Sequence, residues 1–230
     1  MNDWKPSQGI VDRWIERTVR LVALGLGRLV YRVHVQGAEN IPATGGCLIV
    51  CNHVSYSDTI PLSIAIPRRL RFTSEEKLFR VPLLGRCLRA FGSIPVSADS
   101  ARTAIRRTVD CISHGEAALL FPEGKLTLDG NLQPVKDGYS LIARKANCPV
   151  LMVHLDGLWG SIFSFEGGRF FLKWPKVWRR EVRVTISRPL TATEATAGTL
   201  ERFWRACAVR TEEVEGRIGG DAFDSRARSA

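Results

Sequence analysis

The sequence predicts an α/β domain, a mostly parallel central sheet flanked by helices, with an amphipathic helix at the N-terminus. Three observations carry this. Apolar, β-rich runs alternate with segments of helical periodicity, as strands joined by helical crossovers do. The runs "CLIVCN", "EAALLF" and "CPVLMVHL" are nearly continuous in apolar residues, as befits strands covered on both faces. At 230 residues the chain can bury a substantial core and is most simply one domain with appendages.

Taken in order, residues 10–31 place Val11, Trp14, Ile15, Val19, Val22, Leu26 and Leu29 at helical spacing among Arg13, Arg17, Arg20 and Arg28. An Arg-rich helix with a Trp has the composition of an interfacial anchor, and equally of a helix packed on its own domain. "VYRVHVQG" and "CLIVCN" read as strands separated by the Pro- and Gly-containing loop "AENIPATGG". "TIPLSIAI" continues as a helix. The segment "LRFTSEEKLFRVPLLGRCLRAFGSIPVS" carries two glycine stops and a short strand near Ser93 to Val96. Residues 99–114 form a helix with Ile105, Val109 and Ile112 on its apolar face and "HG" as its stop. "EAALLFPEG" is a buried strand ending in a turn, "KDGYSLIARKAN" a helix, "CPVLMVHLDG" another buried strand and "EVRVTIS" a late one. Residues 161–183 hold six aromatic and six basic side chains around "EGGR", which reads as a hairpin turn.

Lys and Arg number 33 against 23 Asp and Glu, a net +10 that favours anionic partners. Residues 211–230 are acidic on balance, so the basic excess belongs to the body of the chain. The six cysteines show no CxxC pair, and Cys111 with His114 has no second pair to complete a metal site; they read as reduced core thiols. The first residues lack the basic start and apolar core of a signal peptide, so export is not expected. The longest uncharged stretch of the first helix is "LVALGLG", far short of the ~20 apolar residues of a membrane span.

"CNHVSYSDTIP", residues 51–61, sets His53 directly after an apolar run and Asp58 five residues on. On one helix such a pair would point about 140° apart. Here His53 falls in the turn leaving a strand and Asp58 at a helix start, where Pro61 is tolerated in the first turn, so the loop can fold one onto the other. A carboxylate then holds one imidazole nitrogen and leaves the other free as a base. An Asp at a helix start is most often only a cap. "LLFPEGKLTLDG", residues 119–130, is a second strand running into a turn with a carboxylate and a lysine. In open α/β sheets, sites gather outside the carboxyl ends of strands, so His53, Asp58, Glu123 and Lys125 can share one crevice.

These two stretches resemble the glycerophospholipid acyltransferases typified by 1-acylglycerol-3-phosphate acyltransferase. The family's Asn-His-x4-Asp signature is matched by "NHVSYSD" and its Phe-Pro-Glu-Gly by "FPEG", while "EEKLFRVPLLG" before "FGSIPV" and "CPVLMVHLDG" look like its other blocks. The resemblance covers roughly residues 30–190. Many members continue as Glu-Gly-Thr-Arg-Ser, with the arginine thought to hold the acceptor phosphate; here "EGKLT" sets a lysine one position early, and "GSIPVSADSAR" offers no arginine before Arg102. In both details the chain looks more like the acyltransferase part of 2-acylglycerophosphoethanolamine acyltransferases.

The resemblance implies His53 and Asp58 as the catalytic pair. It implies Asn52, Glu123, Gly124 and Lys125, with Arg102 and Lys136 as lesser candidates, as substrate-binding residues. The substrates it implies are a lysophospholipid and an acyl thioester of coenzyme A or acyl carrier protein, with no metal or redox cofactor. Backbone N–H groups around Gly124 are candidates for an oxyanion or a phosphate. Such substrates are amphiphiles, so the expected setting is an anionic membrane surface, at the cytoplasmic face of the cell membrane, peripheral or monotopic. The expected divisions are a membrane-associating helix over 1–32, an acyltransferase domain over 33–210 and a disordered tail over 211–230, read together as a complete chain. The rival of a different class is an inactive membrane adaptor of the same fold. Binding of single-stranded nucleic acid suits the charge and aromatics but explains neither motif, and no nucleic-acid partner is expected.

Overall fold

A computed structural model describes residues 9–96, 101–170, 173–175 and 177–211, without the side chains of residues 12, 13, 15, 16 and 90. The strands are β1 (Tyr31–Gln36), β2 (Cys47–Cys51), β3 (Leu70–Glu75), β4 (Ile94–Val96), β5 (Ala117–Leu120), β6 (Val150–Asp156) and β7 (Arg180–Ile186). The helices are α1 (Ile10–Val30), α2 (Thr59–Ala65), α3 (Pro82–Ala90), α4 (Ala101–Ser113), α5 (Gly138–Ala146) and α6 over residues 197–211. One sheet runs in the order β1-β7-β6-β2-β5-β3-β4. β6, β2, β5, β3 and β4 run parallel to one another, while β7 is antiparallel to β6 and carries β1 parallel at the edge.

β2 is buried along its whole length because both faces are covered. Its Cys47, Ile49 and Cys51 pack toward Leu62 and Ile66 on the α2 side. Leu48 and Val50 pack toward Ile112 of α4, Ile142 of α5 and Trp204 of α6 on the other. All six cysteines are free and five are buried. α1 packs on α2 and α3. At that contact a Cβ on Gly27 would stand 2.5 Å from Ile60 Cγ2, so glycine lets the two helices close. On its other side α1 leaves Val11, Trp14, Leu21, Val22, Leu26 and Leu29 exposed. It is thus both a packed helix and one with an uncovered apolar stripe.

Four findings differ from or add to the sequence reading. β3 is a strand that the pattern did not disclose, because Arg71 interrupts it; the guanidinium is buried against Glu116 at 2.8 Å and the Phe91 carbonyl at 2.6 Å. α6 was likewise unassigned, yet its Trp204 is fully buried and donates Nε1–H to the Val153 carbonyl at 2.7 Å. "EVRVTIS" forms β7 but runs against β6. The turn at "EGGR" exists, with Gly168 N–H donating to the Phe165 carbonyl at 2.9 Å, but the described residues on either side form no strand pair. The tail expected over 211–230 lies outside the described residues except for residue 211, which belongs to α6; residues 99–100 of the helix expected over 99–114 also lie outside them.

Candidate active site

Val50 of β2 and Leu120 of β5 are register partners. His53 and Glu123 each follow three residues later, so they leave the sheet side by side at its carboxyl edge. Glu123 Oε1 accepts from the His53 backbone N–H at 2.7 Å, and Oε2 accepts from the Gln133 N–H at 2.7 Å. The Thr127 N–H donates to the His53 carbonyl at 3.1 Å. Beneath the imidazole lies the Phe121 ring, with centroids 3.9 Å apart and planes 10° from parallel. The loop after β5 therefore grips the histidine by its backbone and supports its ring face.

Asp58 sits at the N-cap position of α2 but makes no side-chain cap bond. Its carboxylate turns back instead, and Oδ2 lies 2.8 Å from His53 Nδ1 and accepts from the Val54 N–H at 2.8 Å. A carboxylate only accepts, so the ring proton is on Nδ1 and Nε2 presents its lone pair. The histidine side chain is 22% exposed and that of Asp58 fully buried, so the pair opens outward at the imidazole. Burial pushes the Asp58 carboxyl above its ordinary 3.8, while the bond from His53 and the Val54 and Ser55 amides pull against it. The Glu123 carboxyl is also raised by burial, against the pull of the Gln133 and His53 N–H groups.

The other expected substrate contacts divide. Asn52 is buried and spends both ends of its amide on β6, donating to the Leu155 carbonyl at 2.8 Å and accepting from its N–H at 2.7 Å. It clamps β2 to β6 instead of facing a substrate, and Glu123, with both oxygens held by the backbone, fixes the loop. Gly124 has φ 71°, and a Cβ there would stand 2.8 Å from Lys136 Nζ, so the lysine lies over the turn. The Gly124 N–H donates to the Phe121 carbonyl at 3.0 Å and is spent on the turn, not held for an oxyanion. Lys125 and Lys136 are both exposed beside this turn, and Arg102 is exposed in the first turn of α4, after β4 leaves the same edge of the sheet. Phe121, Thr127 and Gln133 were not singled out from the sequence. Phe121 lay inside a quoted motif; the other two act through backbone amides, which no residue type signals.

Residues 32–155 match the family model described as Acyltransferase. A chloroplastic 1-acyl-sn-glycerol-3-phosphate acyltransferase, BAT2, of Brassica napus is 30% identical over 169 residues, 72% of this chain and 47% of that protein. The 1-acyl-sn-glycerol-3-phosphate acyltransferase of Bacillus subtilis is 28% identical over 142 residues, 61% of this chain and 70% of the relative. The chain thus spans about half the length of the plant relative, 47%, and more of the bacterial one. The crystal structure of the 1-acyl-sn-glycerophosphate (LPA) acyltransferase PlsC from Thermotoga maritima superposes with a TM-score of 0.67 at 22% identity, covering 89% of this chain and 81% of that one, and shows the same fold. Since residues 32–155 are over half of the chain and contain both the His53–Asp58 turn and the Glu123 loop, this chain belongs to the acyltransferase family.

Proposed function

We propose that the chain transfers an acyl group from a thioester, of coenzyme A or acyl carrier protein, to a free hydroxyl of a lysophospholipid. The observation that supports this most is the 2.8 Å contact of His53 Nδ1 with Asp58 Oδ2, which leaves Nε2 as the outward-facing base. In the proposed reaction Nε2 takes the hydroxyl proton as the oxygen attacks the thioester carbonyl. The C–O bond forms, the tetrahedral oxyanion collapses and the C–S bond breaks. The departing thiolate, whose thiol has a reference pKa of about 8.5, leaves readily and takes the proton back from His53. Asp58 offsets the charge that the imidazole gains meanwhile, and the Phe121 face lies against the same ring. Ser55 and Ser57 are buried in mutual hydrogen bonds and have no role as nucleophiles here. The reaction as written needs no metal or redox cofactor.

Lys125 and Lys136 flank the turn at Gly124 and are the proposed contacts for the acceptor's phosphate, with Arg102 a more distant third. The names of the relatives support lysophosphatidic acid as acceptor, and the lysine directly after Glu-Gly supports lysophosphatidylethanolamine as the second choice. The test is a panel of lysophosphatidic acid, lysophosphatidylethanolamine and lysophosphatidylglycerol with labelled acyl-CoA and acyl carrier protein thioesters. Transfer to one of the first two is expected. Transfer to none would overturn the enzyme reading in favour of a membrane adaptor.

The proposed setting is the cytoplasmic face of the cell membrane, on an anionic surface. Among the described residues no helix is long and apolar enough to cross a membrane. What supports surface binding is the exposed apolar stripe of α1 together with Trp174 and Trp178, which are 92% and 83% exposed beside basic residues. The Arg179 guanidinium donates to the Arg28 carbonyl at 3.4 Å, joining that segment to the end of α1. The protein is expected to sediment with anionic vesicles at low salt, and Trp174→Ala with Trp178→Ala to weaken binding by roughly tenfold or more, about 1.4 kcal/mol per decade. Failure of the wild type to sediment would sink the proposal.

A further inference from the structure

We infer that Tyr31 is a positioning residue for the His53–Asp58 pair, holding the turn between them through a buried chain of hydroxyls. The inference deepens the proposed function and rests on its assignment of that pair.

Tyr31 closes α1, its N–H donating to the Gly27 carbonyl, and opens β1. It is buried, and its phenol donates to Ser57 Oγ at 2.9 Å. Ser57 Oγ lies 2.9 Å from Ser55 Oγ, which lies 3.4 Å from Ser161 Oγ. All three serines are buried, so these hydroxyls must satisfy one another. A hydroxyl has one proton and two lone pairs, so Ser57 can accept from the phenol and still bond Ser55, and Ser55 can bond Ser161, whichever oxygen of each pair donates. Burial raises the Tyr31 phenol above its ordinary 10.0, which keeps it a donor.

Ser55 and Ser57 lie between His53 and Asp58, and their backbone builds the turn. The Ser57 N–H donates to Ser55 Oγ at 3.2 Å, the Asp58 N–H to the Ser55 carbonyl at 3.1 Å and the Ile60 N–H to the Ser57 carbonyl at 3.0 Å. Asp58 Oδ1 has no hydrogen-bond partner, and the backbone N–H that holds Oδ2 beside the imidazole, that of Val54, belongs to the same turn. Its aim at Nδ1 is therefore set by the turn, and the turn is braced from outside by Tyr31. One turn of α1 earlier, Gly27 lies against Ile60 and Ile64 of α2. The seating of α1 on α2 and the aim of Asp58 thus meet at one residue.

The test uses the full chain with histidine labelled in the ring, and reads the His53 Nδ1 proton resonance, assigned by its loss in His53→Ala, together with kcat and KM. Tyr31→Phe keeps the ring and removes the hydroxyl. It is expected to shift or broaden that resonance and to lower kcat about three- to tenfold, the scale of one buried hydrogen bond, with KM unchanged. Ser57→Ala should do the same, and the double variant should lose no more than the stronger single. The control is Tyr139→Phe, which removes a buried hydroxyl that has no partner, on the opposite face of the sheet; it should leave both readouts in place. An unmoved resonance in Tyr31→Phe overturns the inference, as do an unchanged kcat in an active enzyme, multiplying losses in the double variant, or equal effects from Tyr139→Phe. If the wild type transfers no acyl group, the proposed function fails, while the resonance still decides the role of Tyr31.

Discussion

Replacing His53 by alanine is expected to lower kcat/KM for acyl transfer by about 10²- to 10⁴-fold, the usual worth of a general base. The fold should survive. The imidazole is partly exposed, and Asp58, already pushed toward its neutral form by burial, can take up a proton when its partner is gone. The companion Asp58→Asn separates aim from charge. An asparagine oxygen in place of Oδ2 can still accept from Nδ1–H and from the Val54 N–H, while its NH2 occupies the place of Oδ1, which has no partner to lose. What disappears is the negative charge beside an imidazole that becomes cationic in the proposed transition state. A charge-assisted bond exceeds a neutral one by roughly 1–2 kcal/mol, so kcat should fall about 5- to 30-fold, less than in His53→Ala, with KM little changed. Steady-state kinetics on the preferred acceptor measure both. Full activity in His53→Ala would remove the histidine from the mechanism; a loss in Asp58→Asn equal to that of His53→Ala would mean that the charge of Asp58 is indispensable, and native kcat in Asp58→Asn would mean that the aim of the ring, not the charge, is what Asp58 supplies.

The parts legible in the sequence were those where one residue type answers to one physical demand. β2, β5 and β6 showed as apolar runs because both of their faces are covered, and the turn-and-helix arrangement of His53 and Asp58 followed from the end of one such run and a proline three residues past the aspartate. β3 escaped because Arg71 is a charge inside the core, acceptable only once Glu116 and the Phe91 carbonyl meet it, and both partners are distant in sequence. The direction of β7 escaped because strand periodicity is the same either way up the sheet. Within the site, residue types pointed to Asn52 and Glu123 but not to what they do. A buried amide and a buried carboxylate are as well suited to holding backbone as to holding substrate, and only the register of β2 with its neighbours shows that backbone groups have taken them. The brace from Tyr31 joins residues 26 apart in sequence and leaves no periodic trace.

Glu123 provides the second large effect, because it serves two loops at once. Its two oxygens receive the N–H of His53 and that of Gln133, each at 2.7 Å, in a buried place with little else to satisfy those donors. Glutamine has nearly the same shape but only one accepting atom, and its NH2 would meet a second N–H head on. Glu123→Gln is therefore expected to cost about 1–3 kcal/mol of stability through the stranded donor, and to lower kcat at least tenfold by loosening the backbone of the base. Urea unfolding and kinetics measure the two effects. The pH dependence has a definite sign. The native carboxyl lies above its ordinary 4.5, so between that value and its raised native value the folded state binds the proton that the unfolded chain has released. Stability from this group is complete below about 4.5 and is lost as pH rises through the native value. The stability difference between wild type and Glu123→Gln should accordingly narrow with rising pH across that window and then stay level. A difference that widened there would mean the two N–H bonds outweigh burial. A variant with native stability and native kcat would mean that the Thr127 N–H, the Phe121 face and the Asp58 bond hold His53 without Glu123.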